Sequence, residues 1–205
     1  ITNGGFTEEQ KAENKLKDAL VSKGLYEISS YSFYSQKDLD MLHFAPDAKE
    51  RKAIKILNPI SEDLSIMRTT LAPSMVNVIV RNLRRGNMAG KLFEISKIYL
   101  AEQLPLSDFP EEKPMIALGI WGKYDFFDLK GIVNCIADDI NTSFEYEPCE
   151  KPFLHPGITA KIICDGVEVG YLGMLSPAVA EELALDRFVY VAEIDYEELK
   201  KHAKP

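Results

Sequence analysis

The run from Ile56 to Tyr99, ILNPISEDLSIMRTTLAPSMVNVIVRNLRRGNMAGKLFEISKIY, constrains the fold more than any other part of the chain. It sets a turn, a strand-like stretch, an amphipathic helix with a basic end and a second strand in one order. Asn58-Pro59 initiates the turn, because proline fixes its own φ and biases the preceding residue away from helix. From Leu71 to Leu83 the apolar residues Leu71, Met75, Val76, Ile79, Val80 and Leu83 recur every three or four positions, which describes one buried helical stripe. Pro73 fits the first turn of such a helix. Arg81, Arg84 and Arg85 fall in its last turns, where cations face the negative end of the macrodipole, and Gly86-Asn87 supplies the stop.

These arginines allow two readings: a solvated end that compensates the helix dipole, or a surface that touches RNA or a partner chain. Charge favours the first. Net charge is −8 over 205 residues, the opposite of a chain built to wrap a phosphate backbone. Yet between Arg68 and Lys97 four Arg and two Lys face the single Glu94, a local excess of +5, so a docking patch stays open. With 46% hydrophobic residues a sizeable core is expected. No stretch reaches the roughly 18 apolar residues of a membrane span, and no secretory signal precedes the first helix, so a soluble protein is expected. Cys135, Cys149 and Cys164 are odd in number and widely spaced, with no histidine near them in sequence. That pattern suits neither a disulfide framework nor a zinc site, and fits a reducing cytoplasm.

Along the rest of the chain, Thr7 followed by Glu8, Glu9 and Gln10 predicts a capped helix with Leu16 and Leu20 on its apolar stripe, ending at Gly24. Leu25 to Tyr34 reads as a strand, Ser35 to Phe44 as a short helix and Ala53 to Leu57 as a second strand. Gln103 to Pro114 reads as an exposed connection, Met115 to Trp121 as a buried strand and Asp125 to Ile140 as a helix. Gly131 inside that helix predicts close backbone packing, since it costs about 1 kcal/mol against alanine. Asp165-Gly166 marks a hairpin within Lys161 to Leu175. A short helix from Ser176-Pro177 to Leu185, a strand from Arg187 to Ile194 and a final helical turn over Tyr196 to Lys201 complete an α+β pattern, a largely antiparallel sheet flanked by helices.

The Asn-Pro-Ile-Ser-Glu-Asp-Leu-Ser turn from Asn58, Met67-Arg-Thr-Thr-Leu71, the Asn82-Leu-x-Arg-Gly-Asn helix end and Leu92-Phe-Glu-Ile95 closely resemble the core domain of the beta chain of bacterial phenylalanyl-tRNA synthetase. Phe126-Phe-Asp-Leu-Lys-Gly131, Leu154-His-Pro-Gly157, Gly170-Tyr-Leu-Gly173 and Ser176-Pro177 extend the resemblance over nearly the whole chain. It implies the class II synthetase catalytic-domain fold in a copy used structurally. Residues 1–205 are then expected to be a single core domain of a longer chain, without its editing, magnesium-linked and anticodon-binding domains. The implied partners are the alpha chain, in an alpha-beta pair that itself dimerises, and phenylalanine tRNA through the full assembly. ATP and magnesium would serve the parent complex and no cofactor this domain.

Activating an amino acid on ATP takes fixed arginines against the triphosphate. By the resemblance, class II catalytic domains place one on a central strand before an acidic residue and another after a glycine-rich strand, at the start of a late helix. Lys91 to Tyr99 contains no arginine, and Phe188 to Leu199 has neither glycine nor arginine. No catalytic residue is therefore assigned. Arg68 is expected to tether a strand-to-helix junction rather than bind phosphate, Glu94 to pair with Lys97 or an arginine of the preceding helix, and His155 to support a turn. The acidic pairs Asp138-Asp139, Glu181-Glu182 and Glu197-Glu198 read as solvated helix faces rather than a metal site. The resemblance also implies that the first helix, with Asn14, Lys15, Leu16 and Leu20, lies at a subunit interface. The rival functions are a stand-alone class II-like enzyme that forms an acyl-adenylate, and an RNA-binding module using Arg81, Arg84 and Arg85.

Overall fold

The computed structural model describes residues 4–204. Its first helix, α1 (Glu8–Ser22), starts at a capping box: Gln10 N donates to Thr7 Oγ1 at 3.2 Å and Thr7 N to Gln10 Oε1 at 2.9 Å. Gly24, at φ 81°, takes the left-handed conformation that lets the chain leave the helix. Short strands β1 (Tyr26–Glu27) and β2 (Phe33–Tyr34) follow, then α2 (Gln36–Met41), β3 (Ile66–Met67) and α3 (Ala72–Arg84). Two long strands, β4 (Gly90–Leu100) and β5 (Glu111–Trp121), precede α4 (Phe126–Asp139). Asp125 caps α4 by accepting from Phe127 N and Asp128 N. The chain closes with β6 (Phe144–Pro148), β7 (Leu154–Cys164), β8 (Val167–Leu175), α5 (Pro177–Glu182), β9 (Val189–Asp195) and α6 (Tyr196–Lys201).

Seven of these strands form one sheet in the order β1-β4-β5-β9-β8-β7-β6. Every pairing is antiparallel except β1 with β4. Strand alternation gives the sheet two buried faces. Phe93, Ile116, Leu118, Ile120, Ala192 and Ile194 meet α1, α4 and α6 on one face; Leu92, Ile98, Ala117, Trp121 and Val191 meet α2, α3 and α5 on the other. Helix α3 sits close to the sheet because Gly119 lies beneath it. A Cβ there would come within 2.7 Å of Met75 Sδ and Ile79 Cδ1.

The structure departs from the sequence expectations at identifiable places. Leu25 to Tyr34 is not one strand: β1 joins the large sheet and β2 pairs with β3 in a separate ribbon. Between them Ser30 donates its N–H and hydroxyl to Glu94, which pulls the backbone off the ladder. Ala53 to Leu57 makes one bridge, Lys55 to Ile66, instead of a strand. Strand β5 starts at Glu111, inside the expected connection. Its Pro114 lies one residue beyond the last β5–β9 pair, Met115 with Asp195, where a missing N–H interrupts the ladder least. Gly131 does not mark close packing, for nothing lies within 4 Å of where its Cβ would be. Strand β6 answers to no expectation, because its alternating Phe-Glu-Tyr-Glu-Pro is short and mostly exposed.

Candidate functional site

Two buried acidic positions organise the sheet face beneath α3. Glu94 on β4 and Glu193 on β9 both point to that face, at 2% and 4% exposure. Arg68, 1% exposed, answers Glu94: its NH1 group lies 3.1 Å from Glu94 Oε1. The guanidinium also donates to Lys97 O at 2.7 Å, to Ser30 Oγ at 3.0 Å and to Ser96 Oγ. Its nitrogens are thereby tied to β4 and to the segment between β1 and β2, and at 1% exposure the group is turned away from any phosphate in solvent. Glu94 thus pairs with neither of the partners expected from sequence. Lys97 instead binds Glu112 at 2.7 Å. Arg68 precedes α3 rather than belonging to it, and β4 meets it from the far side of that helix in sequence.

Glu193 forms no ion pair among the described residues. Its Oε1 accepts from Leu71 N at 2.9 Å, and its Oε2 from Thr70 Oγ1 at 2.6 Å and Tyr171 Oη at 2.8 Å. Leu71 stands at the start of α3 without a capping side chain, so the carboxylate of a distant strand supplies the anion that a helix N-terminus favours. Burial pushes the Tyr171 hydroxyl well above its ordinary value, and the charge of Glu193 pushes it further the same way. Sequence reasoning passed over this cluster. The signal was the acid at the third inward position of Val189-Tyr-Val-Ala-Glu193, a strand otherwise apolar on both faces.

Above the cluster lies a cleft of about 490 Å³, walled by Phe44, Phe153, Ile98 and Met115 with Thr70, Tyr171 and Glu193 at its floor. Its cations are Lys49, Lys52, Lys113 and Lys151, against Glu50, Glu102, Glu168, Glu193 and Asp195. Lys113 is spent on Asp195 at 2.5 Å, and Lys151 lies over the Tyr171 ring, 4.7 Å from its centroid. No arginine is among the lining residues. The cleft can hold a small organic molecule, but its charge opposes a triphosphate.

The other candidates lie apart from the cleft. His155 stands inside β7, not in a turn between elements. Its Nδ1 accepts from Gly157 N at 3.0 Å, beside the irregular register that separates Leu154 from Thr159. Leu16 and Leu20, at 2% and 0% exposure, are sealed in the chain's own core. They therefore cannot face a second chain, which corrects the interface assignment for both. Asn14 is exposed, and Lys15, also exposed, reaches Asp139 Oδ1 at 3.0 Å. Arg81, Arg84 and Arg85 are exposed and form no ion pair among the described residues. Behind them Asn87 N donates to Asn82 O and Gly86 N to Leu83 O, the bond pattern of a helix closed by a left-handed glycine.

A mainly antiparallel sheet with one parallel edge pair, α1 and α4 on one face and α3 with its cleft on the other, defines a class II aminoacyl-tRNA synthetase catalytic-domain fold. Pyrrolysyl-tRNA synthetase from Desulfitobacterium hafniense shares it, with a TM-score of 0.73 at 16% identity over 92% of this chain and 67% of that one. Residues 1–196 match the model for the phenylalanyl-tRNA synthetase beta chain CLM domain, and the chain belongs to that family. It is 37% identical to the phenylalanine–tRNA ligase beta subunit of Clostridium acetobutylicum over 93% of its length. With the Clostridium tetani subunit it shares 36% identity over 97%. These matches cover 24% and 25% of the two relatives, so the chain spans about a quarter of their length. No helix among the described residues is long and apolar enough to cross a membrane.

Proposed function

We propose that this chain is the non-catalytic synthetase-like core of a phenylalanine–tRNA ligase beta chain, which supports ATP-dependent charging of phenylalanine tRNA in the cytoplasm by assembling with the alpha chain. The observation that carries the proposal is Arg68. In a domain of this family it is the arginine nearest the cleft's floor in sequence, beside Thr69 and Thr70, and it is consumed by Glu94 and the β4 backbone. The lysines that remain at the cleft are outnumbered by carboxylates. ATP and magnesium then belong to the parent complex and not to this domain, and the alpha-beta pair dimerises into a heterotetramer.

Exposed apolar side chains support an assembly role: Val21 and Tyr26 around the end of α1, and Leu57 and Ile60 in the Asn58-Pro59 turn, are 55%, 75%, 96% and 85% exposed. Side chains of this kind gain most from burial against a partner. The polar face of α1, with Asn14 and Lys15, is assigned to the same interface. The chain is expected to capture the matching alpha chain in a pull-down, and Asn14→Arg with Lys15→Glu to weaken capture. Because Lys15 also binds Asp139, Asn14→Arg alone serves as the control of unchanged stability. Undiminished capture by both variants would remove α1 from the interface.

A further inference from the structure

Cys164, Asp165 and His202 are unrelated in sequence spacing, His202 lying 37 residues beyond Asp165. The fold brings them to one point where the β7–β8 hairpin meets the end of α6. Neighbours in a strand point to opposite faces. Asp165, however, is in the left-handed region at φ 46°, so its carboxylate comes round to the side of the Cys164 thiol. The Cys164 sulfur, an Asp165 oxygen and a His202 ring nitrogen all lie within 4.8 Å of one another.

We propose that these three side chains form a binding site for a borderline-soft divalent metal of the zinc type. A sulfur, an imidazole nitrogen and a carboxylate oxygen are the donors such ions select, whereas magnesium and calcium take oxygen alone. Tetrahedral zinc holds ligand atoms roughly 3.3 to 3.8 Å apart, from bond lengths of about 2.0 to 2.3 Å. His202 Nδ1 and Asp165 Oδ2 already stand 3.3 Å apart, and the sulfur, within 4.8 Å of each, has at most about 1 to 1.5 Å to close to join them.

Two further features fit the site. His202 Nε2 is buried with no hydrogen-bond partner, and Glu198 Oε1 is 3.5 Å from it. Metal at Nδ1 fixes the proton on Nε2, which then points at this carboxylate, the arrangement that orients metal-bound histidines generally. Cys164 is fully buried, and binding replaces its thiol proton with the cation, releasing that proton to solvent. Lys204 Nζ lies 3.5 Å from Asp165 Oδ1 on a side chain 56% exposed, free to swing away as a metal enters. The bound ion would clasp α6 to the hairpin.

Cobalt(II) is the probe, since a thiolate ligand gives it a charge-transfer absorption. One equivalent is expected to saturate the signal in the wild-type chain, and in a Cys135→Ser, Cys149→Ser double variant. The signal should vanish in Cys164→Ser. Affinity should fall about 10-fold or more in Asp165→Asn, His202→Gln and Glu198→Gln, the loss typical of even outer partners. Circular dichroism establishes that each variant folds. No thiolate band at millimolar cobalt, or a band that survives Cys164→Ser, overturns the proposal; the first result needs no variant at all.

Discussion

At the scale of single residues the domain depends on one buried ion pair. Arg68 and Glu94 are both almost wholly enclosed, and removing one partner strands the other charge without water. Arg68→Met is therefore expected to cost about 3 to 5 kcal/mol in chemical denaturation, and the double change Arg68→Met, Glu94→Leu much less, because no charge remains to be desolvated. Equal losses for the single and double variants would contradict the tether. Tyrosines set the alkaline limit. Burial pushes the Tyr34 hydroxyl up to about 12, with Thr69 Oγ1 and Thr69 N bonded to it. A group whose folded pKa is raised contributes stability below its unfolded pKa of about 10 and loses it as pH climbs through the folded value. The melting temperature should fall between about pH 10 and 12, less steeply in Tyr34→Phe, as a thermal melt at each pH will show.

At the scale of elements, legibility tracked locality. Helices α1 and α4 could be read because their caps, stripes and stops lie within a turn or two of each other, as Thr7 with Gln10 and Asp125 with Asp128 illustrate, and α3 from its apolar stripe and its glycine stop. What failed depended on distant residues. The break between β1 and β2 follows from Glu94, 64 positions beyond Ser30. The cap of α3 comes from Glu193, 122 positions beyond Leu71. Neither is visible to periodicity or spacing. That β4 and the run from Phe188 to Leu199 hold no arginine, by contrast, could be read directly, since an absent residue type needs no geometry.

The basic end of α3 is the element whose role is open to direct test. Its three arginines flank the carbonyl end of the helix, where each cation contributes about 0.3 to 1 kcal/mol through the macrodipole. Changing all three to Gln in the full assembly is expected to lower stability by that order and to leave the salt dependence of tRNA affinity unchanged. If they contact phosphates, the slope against salt will flatten by roughly one unit per lost contact. Measuring affinity at several salt concentrations separates the two.

At the scale of the whole molecule, a synthetase fold persists around a cleft whose polar groups are turned inward to build the fold. Glu193 caps α3, Arg68 ties β4 to the segment behind it, and Lys113 is bound to Asp195. The proposed assembly role rests on such a rigid sheet and on the exposed apolar side chains of Tyr26 on β1 and of Leu57 and Ile60 in the Asn58-Pro59 turn. The rival, a stand-alone enzyme that forms an acyl-adenylate, requires the same cleft to take up ATP. Titration calorimetry of the chain with ATP and magnesium decides between them most directly. No saturable heat is expected into the millimolar range; saturable binding at micromolar ATP would overturn the non-catalytic role.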